Sequence, residues 1–574
     1  MSVDRAAVVR VLDQIASHLE LKAENAFKIR AFRMGARTLS SVAGEPSEWI
    51  AHGTLDELHG IGPAIQGVVR ELVTSGRSTV LDELREQVPP GLVEMLKISG
   101  LGVAKVRQIH ERLHLESVPE LEAAARDGRL ASLPGFGTKT AENVLRGVAR
   151  LKQTATFRLL HHAIEEAELL RASLARVPGV VQALVAGEVR RRLELVRELV
   201  IVLAADSHQE VLKAVALLPG IEEVGGQDER RASIRFAGGE SCQVVVTPVA
   251  NLGAVSIHAT GSDAHLAQLV ARASSRGYTL SGAALWRGSE FIPTPNEETV
   301  YRALGLPLIP PELREGSGEV EAAESGPPAL LERGQLRGLI HCHTSYSDGS
   351  FTVADLAKVS GRAGYQYVGV TDHSGTAAYV GGLSEADLRA QWAEIDAANE
   401  LGVGARILKG VEADILADGR LGYPNELLAG FDFVIASVHN RFEMNREEMT
   451  TRILSAMDHP AVTILGHLTG RLLLSREPYP LDLDRIFVRA AERGVAIEIN
   501  ADPQRLDLDW RLVRQAKRAG VMISIGADAH SPAGLENVEY GVAMARKAWL
   551  GAADVLNARS ADEFVAFARA RASR

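Results

Sequence analysis

The feature that most constrains this chain is a series of short apolar, β-rich runs in its C-terminal half. Nearly all of them end in a side chain able to bind a metal. Gly338-Leu-Ile-His341-Cys-His343 is the first, with Asp348 five residues on. Residues i and i+2 of a strand share a face, so His341 and His343 can point at one place. The later runs end in Asp372-His373, Glu412, His439, His467, Asn500 and Asp528-Ala-His530. Helical patterns, such as Val353 to Ala363 and Leu481 to Arg493, lie between them. Seven strand candidates alternating with helices predict a parallel α/β barrel, whose active site sits at the carboxyl ends of its strands. Core histidines bonded to protein carbonyls would not collect, six of them with three carboxylates, at one end of successive strands.

The pattern His-x-His-Thr-x-x-Ser-Asp-Gly, Thr-Asp-His, Glu, Ser-Val-His, His, Asp-x-His resembles the PHP (polymerase and histidinol phosphatase) family. That resemblance implies a distorted (βα)7 barrel with a trinuclear metal centre. It assigns His341, His343, Glu412 and Asp528 to the first metal. Glu412, His439 and His467 go to the second, with Glu412 bridging, and Asp348, His373 and His530 to the third. Glu412, Asp528 and His530 are also the catalytic candidates. Asp372 or Asn500 would orient ligands, and Tyr346, Arg441, Arg471 and Arg505 would grip a phosphate. His-rich sites accept Mn2+, Zn2+ and Fe2+, so the metal's identity stays open.

The N-terminal half carries a near-repeat: Leu58-His-Gly60-Ile-Gly62, Ile98-Ser-Gly100-Leu-Gly102 and Leu133-Pro-Gly135-Phe-Gly137. Each precedes an amphipathic helix, with Lys105, Arg107, Lys139 and Arg146 nearby. Glycines allow a tight turn, and the free N–H groups of the next helix make an anion site. These stretches resemble helix-hairpin-helix motifs, which bind DNA backbones; a monovalent cation at the turns is part of that expectation. Upstream, Lys28, Arg30, Arg33 and Arg37 form either a solvated helix face or a phosphate-facing stripe.

With Leu174-Ala-Arg-Val-Pro-Gly-Val, Thr260-Gly-Ser-Asp-Ala-His265 and Leu304-Gly-Leu-Pro-Leu-Ile-Pro-Pro, the whole chain resembles a bacterial family X DNA polymerase fused to a PHP barrel. The expected order is a helical domain (1–82), a fingers-like helical domain (83–165), an α+β palm (166–255), a thumb-like domain (256–312), an acidic Gly/Pro-rich linker (313–336) and the barrel (337–574). The palm departs from the family pattern. Gly-Ser-x-Arg-Arg reads Gly187-Glu188-Val-Arg190-Arg191, Asp-x-Asp reads Glu198-Leu-Val200, and the third aspartate position falls at Gln243. Valine cannot ligate a metal, so the pair of ions that drives nucleotide addition loses its cage. Arg190, Arg191 and Arg192 remain to hold DNA. The position of the Schiff-base lysine of the family's lyase members falls at Val68, which argues against that route.

A net charge of −10 means that DNA contact must come from local surfaces. Two cysteines fit a reducing compartment, and the opening residues Met1-Ser-Val-Asp-Arg are no leader peptide. No run of about 18 apolar residues predicts a membrane span. The reading is a cytoplasmic, nucleoid-associated repair protein, its oligomeric state open with a monomer favoured, with metal-dependent 3′–5′ exonuclease activity on gapped, nicked or 3′-recessed DNA and polymerase activity lost or vestigial. The alternatives are a phosphomonoesterase and a non-catalytic DNA-end scaffold.

Overall fold

The structure is a computed structural model that describes residues 5–572 apart from 43–45, 59, 99, 155, 219–220, 227–230, 237–240, 327 and 376–380. Met1 to Asp4, used in the leader reading, lie outside the described residues. The N-terminal part is helical, and each glycine turn behaves as its sequence predicts. Gly60, Gly100 and Gly135 have φ of 81°, 86° and 81°, which a side chain would strain. Ile61, Leu101 and Phe136, between the paired glycines, are buried. The helices Pro63–Ser75, Val103–Leu113 and Thr138–Thr154 follow directly. Val68 lies in the core of the first helical unit.

Next comes a five-stranded mixed sheet, ordered Val180–Ala186, Leu199–Ala205, Ser241–Thr247, Arg231–Phe236, Ile221–Gly226. Its two central strands run parallel and set Val200 directly beside Gln243. The small antiparallel sheet of Tyr278–Leu280, Leu285–Arg287 and Glu290–Ile292 belongs to the following unit.

The segment expected as a linker is folded. The helix Glu319–Glu324 packs there, with Glu319 buried against His265 and Arg314 wholly buried on Glu297. Composition misled because polar residues of the segment pair with groups outside it, Glu319 with His265, Arg314 with Glu297 and Glu315 with Arg191 and Lys547, instead of facing water.

The barrel closes in sequence order: Gly338–Cys342, Tyr367–Val370, Arg406–Asp414, Phe433–Ser437, Val462–Leu465, Ala496–Asn500 and Ile523–Ala529, all parallel. At its amino end Phe564, from the helix Ala561–Ala572, plugs the interior against Tyr367 and Phe433. Among the described residues no helix is long and apolar enough to cross a membrane.

Candidate metal centre

The carboxyl ends of the barrel strands bring nine donors together. They form four groups, each with ligand atoms within 4.8 Å of one another: His343, Asp348, His373, His530; His341, Glu412, His467; His341, His343, Asp528; and His373, Glu412, His439. Glu412 stands at the middle. Its Oε1 is 2.9 Å from His467 Nε2, 3.2 Å from His439 Nε2 and 3.4 Å from His341 Nε2, and its Oε2 is 3.0 Å from His373 Nδ1. Asp528 Oδ1 lies 3.4 Å from His343 Nε2 and 3.6 Å from His341 Nε2. Asp348 Oδ1 lies 3.4 Å from His530 Nε2 and 3.6 Å from His343 Nδ1.

His341 and His343 converge, with rings 5.4 Å apart, but not by plain alternation. The first strand shifts register at His341, whose φ is 61°, and His343 lies just past the strand end. His467 and Asp528 also have positive φ, 22° and 49°. Strained backbone at ligand-type residues is held only where the surroundings over-determine it.

The residues fit a metal cluster. His341 Nε2, both nitrogens of His343, His373 Nδ1 and His467 Nδ1 are buried without a hydrogen-bond partner. Such atoms are costly unless something else satisfies them. The donor set is nitrogen and oxygen throughout, which suits manganese, zinc or iron. Charge is balanced within the cluster. Burial alone would raise the Glu412 and Asp528 carboxyls, yet facing imidazoles, His439 and His341 foremost, hold both well below their usual range. Burial disfavours charge on His439, but Glu412 and Asp414 outweigh it and lift the ring to about 9. His530 is lifted to about 9 against burial by Asp348 and Asp528, whereas burial takes His373 down to about 4. The inner ligands are sealed. The His530 and Asp348 side chains are 39% and 31% exposed, so the centre opens on their side.

Supporting residues lie behind the donors. Asp372 accepts from the backbone and hydroxyl of Thr344 and from Ser347 and Gln391, fixing the loop that carries Asp348. Asn500 Nδ2 donates to Asp528 at 2.9 Å. Two supports were missed in the sequence. Glu498 is wholly buried and accepts from His341 Nδ1 at 2.5 Å and from the His467 backbone N–H at 2.7 Å. Asp414 accepts from His439 Nδ1 at 2.6 Å. Each sits two residues from a ligand-type position on the same strand, Glu498 before Asn500 and Asp414 after Glu412. Alternation was therefore the signal available.

The phosphate-gripping candidates divide. Arg505 is at the centre, its Nε 3.6 Å from Asp528. Arg471 is not available to a phosphate: it is buried and bonded to the carbonyls of Arg505 and Leu506 and to Asp509. The Tyr346 hydroxyl donates to Glu394 instead of facing the centre. Arg441 is exposed, two residues past His439.

In the palm, Glu198 is exposed, Val200 and Gln243 pair across strands, and Glu188 accepts from the Arg197 N–H. Arg190 and Arg191 do not present a DNA-holding surface. Arg190 bonds both oxygens of Glu297, and Arg191 bonds Glu315 and the Thr260 carbonyl. At the hairpins, Gly60, Gly62, Gly100, Gly102, Gly135 and Gly137 are exposed. Lys105 donates to the Gly100 carbonyl, and Lys139 extends to 3.8 Å from Glu443 of the barrel.

Comparison with known proteins agrees with this layout. Residues 4–78 match a helix-hairpin-helix domain, 92–150 a SAM-like helix-hairpin-helix tandem, 255–315 the DNA polymerase beta thumb and 340–502 the PHP domain. A protein of Bacillus subtilis (strain 168), named DNA polymerase/3'-5' exonuclease PolX, is 35% identical over 565 residues, 98% of each chain. Over about a third of the chain, proteins named as probable phosphatases are similar. That of Caldanaerobacter subterraneus subsp. tengcongensis is 32% identical over 206 residues, 33% of this chain and 74% of its own. That of Thermoanaerobacter sp. (strain X514) is 31% identical over 207 residues, 33% of this chain and 77% of its own. A barrel rimmed with nine donors, glycine turns ahead of it and likeness along nearly all of its length place the chain among the family X DNA polymerases that carry a C-terminal PHP domain.

Proposed function

We propose that the chain is a metal-dependent 3′–5′ exonuclease, or 3′-end-trimming phosphodiesterase, acting on gapped, nicked or 3′-recessed DNA in cytoplasmic repair, with templated synthesis lost. The observation that carries this is the cluster of nine donors, open on the Asp348 and His530 side and holding unsatisfied imidazole nitrogens, joined to glycine turns that face solvent. Bound divalent ions would polarise a scissile phosphate and lower the pKa of a water beside it. Manganese or zinc would be held by the nine donors, with Glu412 shared between neighbouring groups. The chain's own part is to orient. Glu498 and Asp414 fix which nitrogen of His341 and His439 faces inward, and Asn500 turns Asp528. Arg505 places a guanidinium beside the centre for a phosphate oxygen. At Gly62, Gly102 and Gly137 an added Cβ would meet no protein atom within 4 Å, which leaves room for a DNA backbone to approach the amides. Of the palm's three cage positions only Glu198 is a carboxylate, where two ions need several.

The test is manganese-dependent digestion of end-labelled gapped, recessed and abasic DNA beside Asp528→Asn. The wild-type chain should shorten 3′ ends, and the variant should not while keeping its DNA affinity. Digestion that persists in the variant would overturn the assignment. The likeness to probable phosphatases supports a second reading, hydrolysis of small phosphomonoesters. A preference for p-nitrophenyl phosphate over recessed duplex would favour it.

A further inference from the structure

The palm and barrel are locked together by buried charge. Lys547, on the barrel helix Val538–Lys547, is wholly buried, and its Nζ donates to the Arg191 carbonyl, the Glu312 carbonyl and Glu315 Oε1 at 3.0, 3.2 and 2.7 Å. A second contact leads to the metal centre. Glu194, three residues beyond Arg191, is buried, and its Oε1 has no hydrogen-bond partner. That oxygen lies 3.5 Å from Arg471 and 3.7 Å from Arg511, both on the barrel. Arg471 in turn bonds the Arg505 and Leu506 carbonyls and Asp509. The loop 502–509 is also held by Asp507, which accepts from the backbone and hydroxyl of Thr469, and by the Gln504 carbonyl, which accepts from Leu473 N–H. Its Arg505 side chain ends beside Asp528.

We propose that Glu194, on the degenerate palm, is a positioning residue for the barrel's phosphate grip: it holds Arg471, which fixes the loop that presents Arg505 at the metal centre. The inference rests on the nuclease reading for what Arg505 grips. A guanidinium buried among carbonyls keeps its geometry only while its charge is matched; Asp509 bonds Arg471 at 3.0 Å, and Glu194 sets a second, buried carboxylate 3.5 Å from it. The palm thus contributes to hydrolysis without touching substrate.

The test uses the full chain with three variants: Glu194→Gln, which keeps shape and loses charge, Arg471→Lys, which keeps charge and loses the forked bonds, and Glu315→Gln, on the same interface but aimed at Lys547. Hydrogen exchange should quicken in peptides covering 502–509 for the first two and stay at the wild-type rate there for Glu315→Gln. On manganese-loaded protein with recessed duplex, Glu194→Gln should lower kcat by roughly ten- to a hundredfold, the upper figure being the cost of about 1 Å of misplacement. Combined with Arg505→Ala it should cost no more than Arg505→Ala alone, because coupled residues are non-additive. Unchanged exchange in the loop, the same change in Glu315→Gln, or additive losses would overturn the proposal. Absence of digestion by the wild-type chain would strike the nuclease reading instead, and loop exchange would still decide this one.

Discussion

Glu498 offers the sharpest test of how the centre is built. It touches no solvent, and both its oxygens are in use: Oε1 by His341 Nδ1 at 2.5 Å, Oε2 by the His467 N–H at 2.7 Å and Asn500 Nδ2 at 3.2 Å. This arrangement puts a proton on His341 Nδ1 and turns bare Nε2 towards Glu412 and Asp528. In Glu498→Gln the amide has one acceptor for these donors, and its NH2 must face a donor. Loss of a partner that orients a ligand costs roughly 10- to 100-fold in metal affinity or activity. That range equals about 1.4–2.7 kcal/mol. The assay is calorimetric titration of manganese into the full chain, with metal content after dialysis as a second measure. Gly526→Ala reaches the same group by another route, since a Cβ there would lie 1.8 Å from Glu498 Oε1 and 3.1 Å from His341 Cβ. Both variants should weaken manganese alike. A Glu498→Gln protein whose affinity falls by less than about twofold would refute the claim that this carboxylate sets the His341 tautomer.

Further outcomes follow from other parts of the chain. The Gly102→Val, Gly137→Val double variant should bind recessed duplex more weakly, by about tenfold for each of its two lost amide sites at roughly 1.4 kcal/mol apiece, while hydrolysing p-nitrophenyl phosphate at the wild-type rate. A fall in both would mark a folding defect. Glu297→Gln should destabilise the chain by roughly 3–5 kcal/mol in urea titration, because it strands the wholly buried Arg314. The same carboxyl sets an acid limit. Burial would raise it, but Arg314 and Arg190 hold it at about 2 against an ordinary 4.5. A depressed carboxyl stabilises fully above its unfolded value, so about 3 kcal/mol should be present above pH 4.5 and vanish as pH falls towards 2. A unfolding free energy flat across that window would refute it. Nucleotide incorporation should stay at background in both wild type and Glu198→Ala, and incorporation abolished by that change would reverse the reading of the palm.

The barrel was legible because two signals coincide in it: an apolar strand must end where the chain leaves the sheet, and in this fold the ligands collect at that edge. The hairpins were legible because a positive φ demands glycine and leaves it in the sequence, as at Gly60, Gly100 and Gly135. What sequence could not show was partner choice. Arg471 and Arg505 are alike on paper, yet one is buried under backbone carbonyls and the other reaches Asp528. Arg190 and Arg191 keep the residue types of a phosphate site while their guanidiniums are spent on Glu297 and Glu315. The acidic stretch 313–336 has a linker's composition, but Glu319 and Glu315 find His265, Arg191 and Lys547.

These pairings bear on why the two halves belong to one chain. A palm that handled a triphosphate would need a carboxylate cage and free cations around it. Here two of the cage positions are Val200 and Gln243, side by side on paired strands, and the guanidiniums of Arg190 and Arg191 are bonded to Glu297, Glu315 and the Thr260 carbonyl. A buried lysine such as Lys547 is costly unless fully satisfied, and it is satisfied by a backbone carbonyl of the palm motif itself, that of Arg191. The motif's polar groups are therefore committed to holding the barrel in place. The centre opens past Asp348 and His530, away from the ligands buried beneath them. On the proposed nuclease reading, the palm would serve as the structural partner of the barrel, leaving phosphodiester chemistry to the metal centre alone.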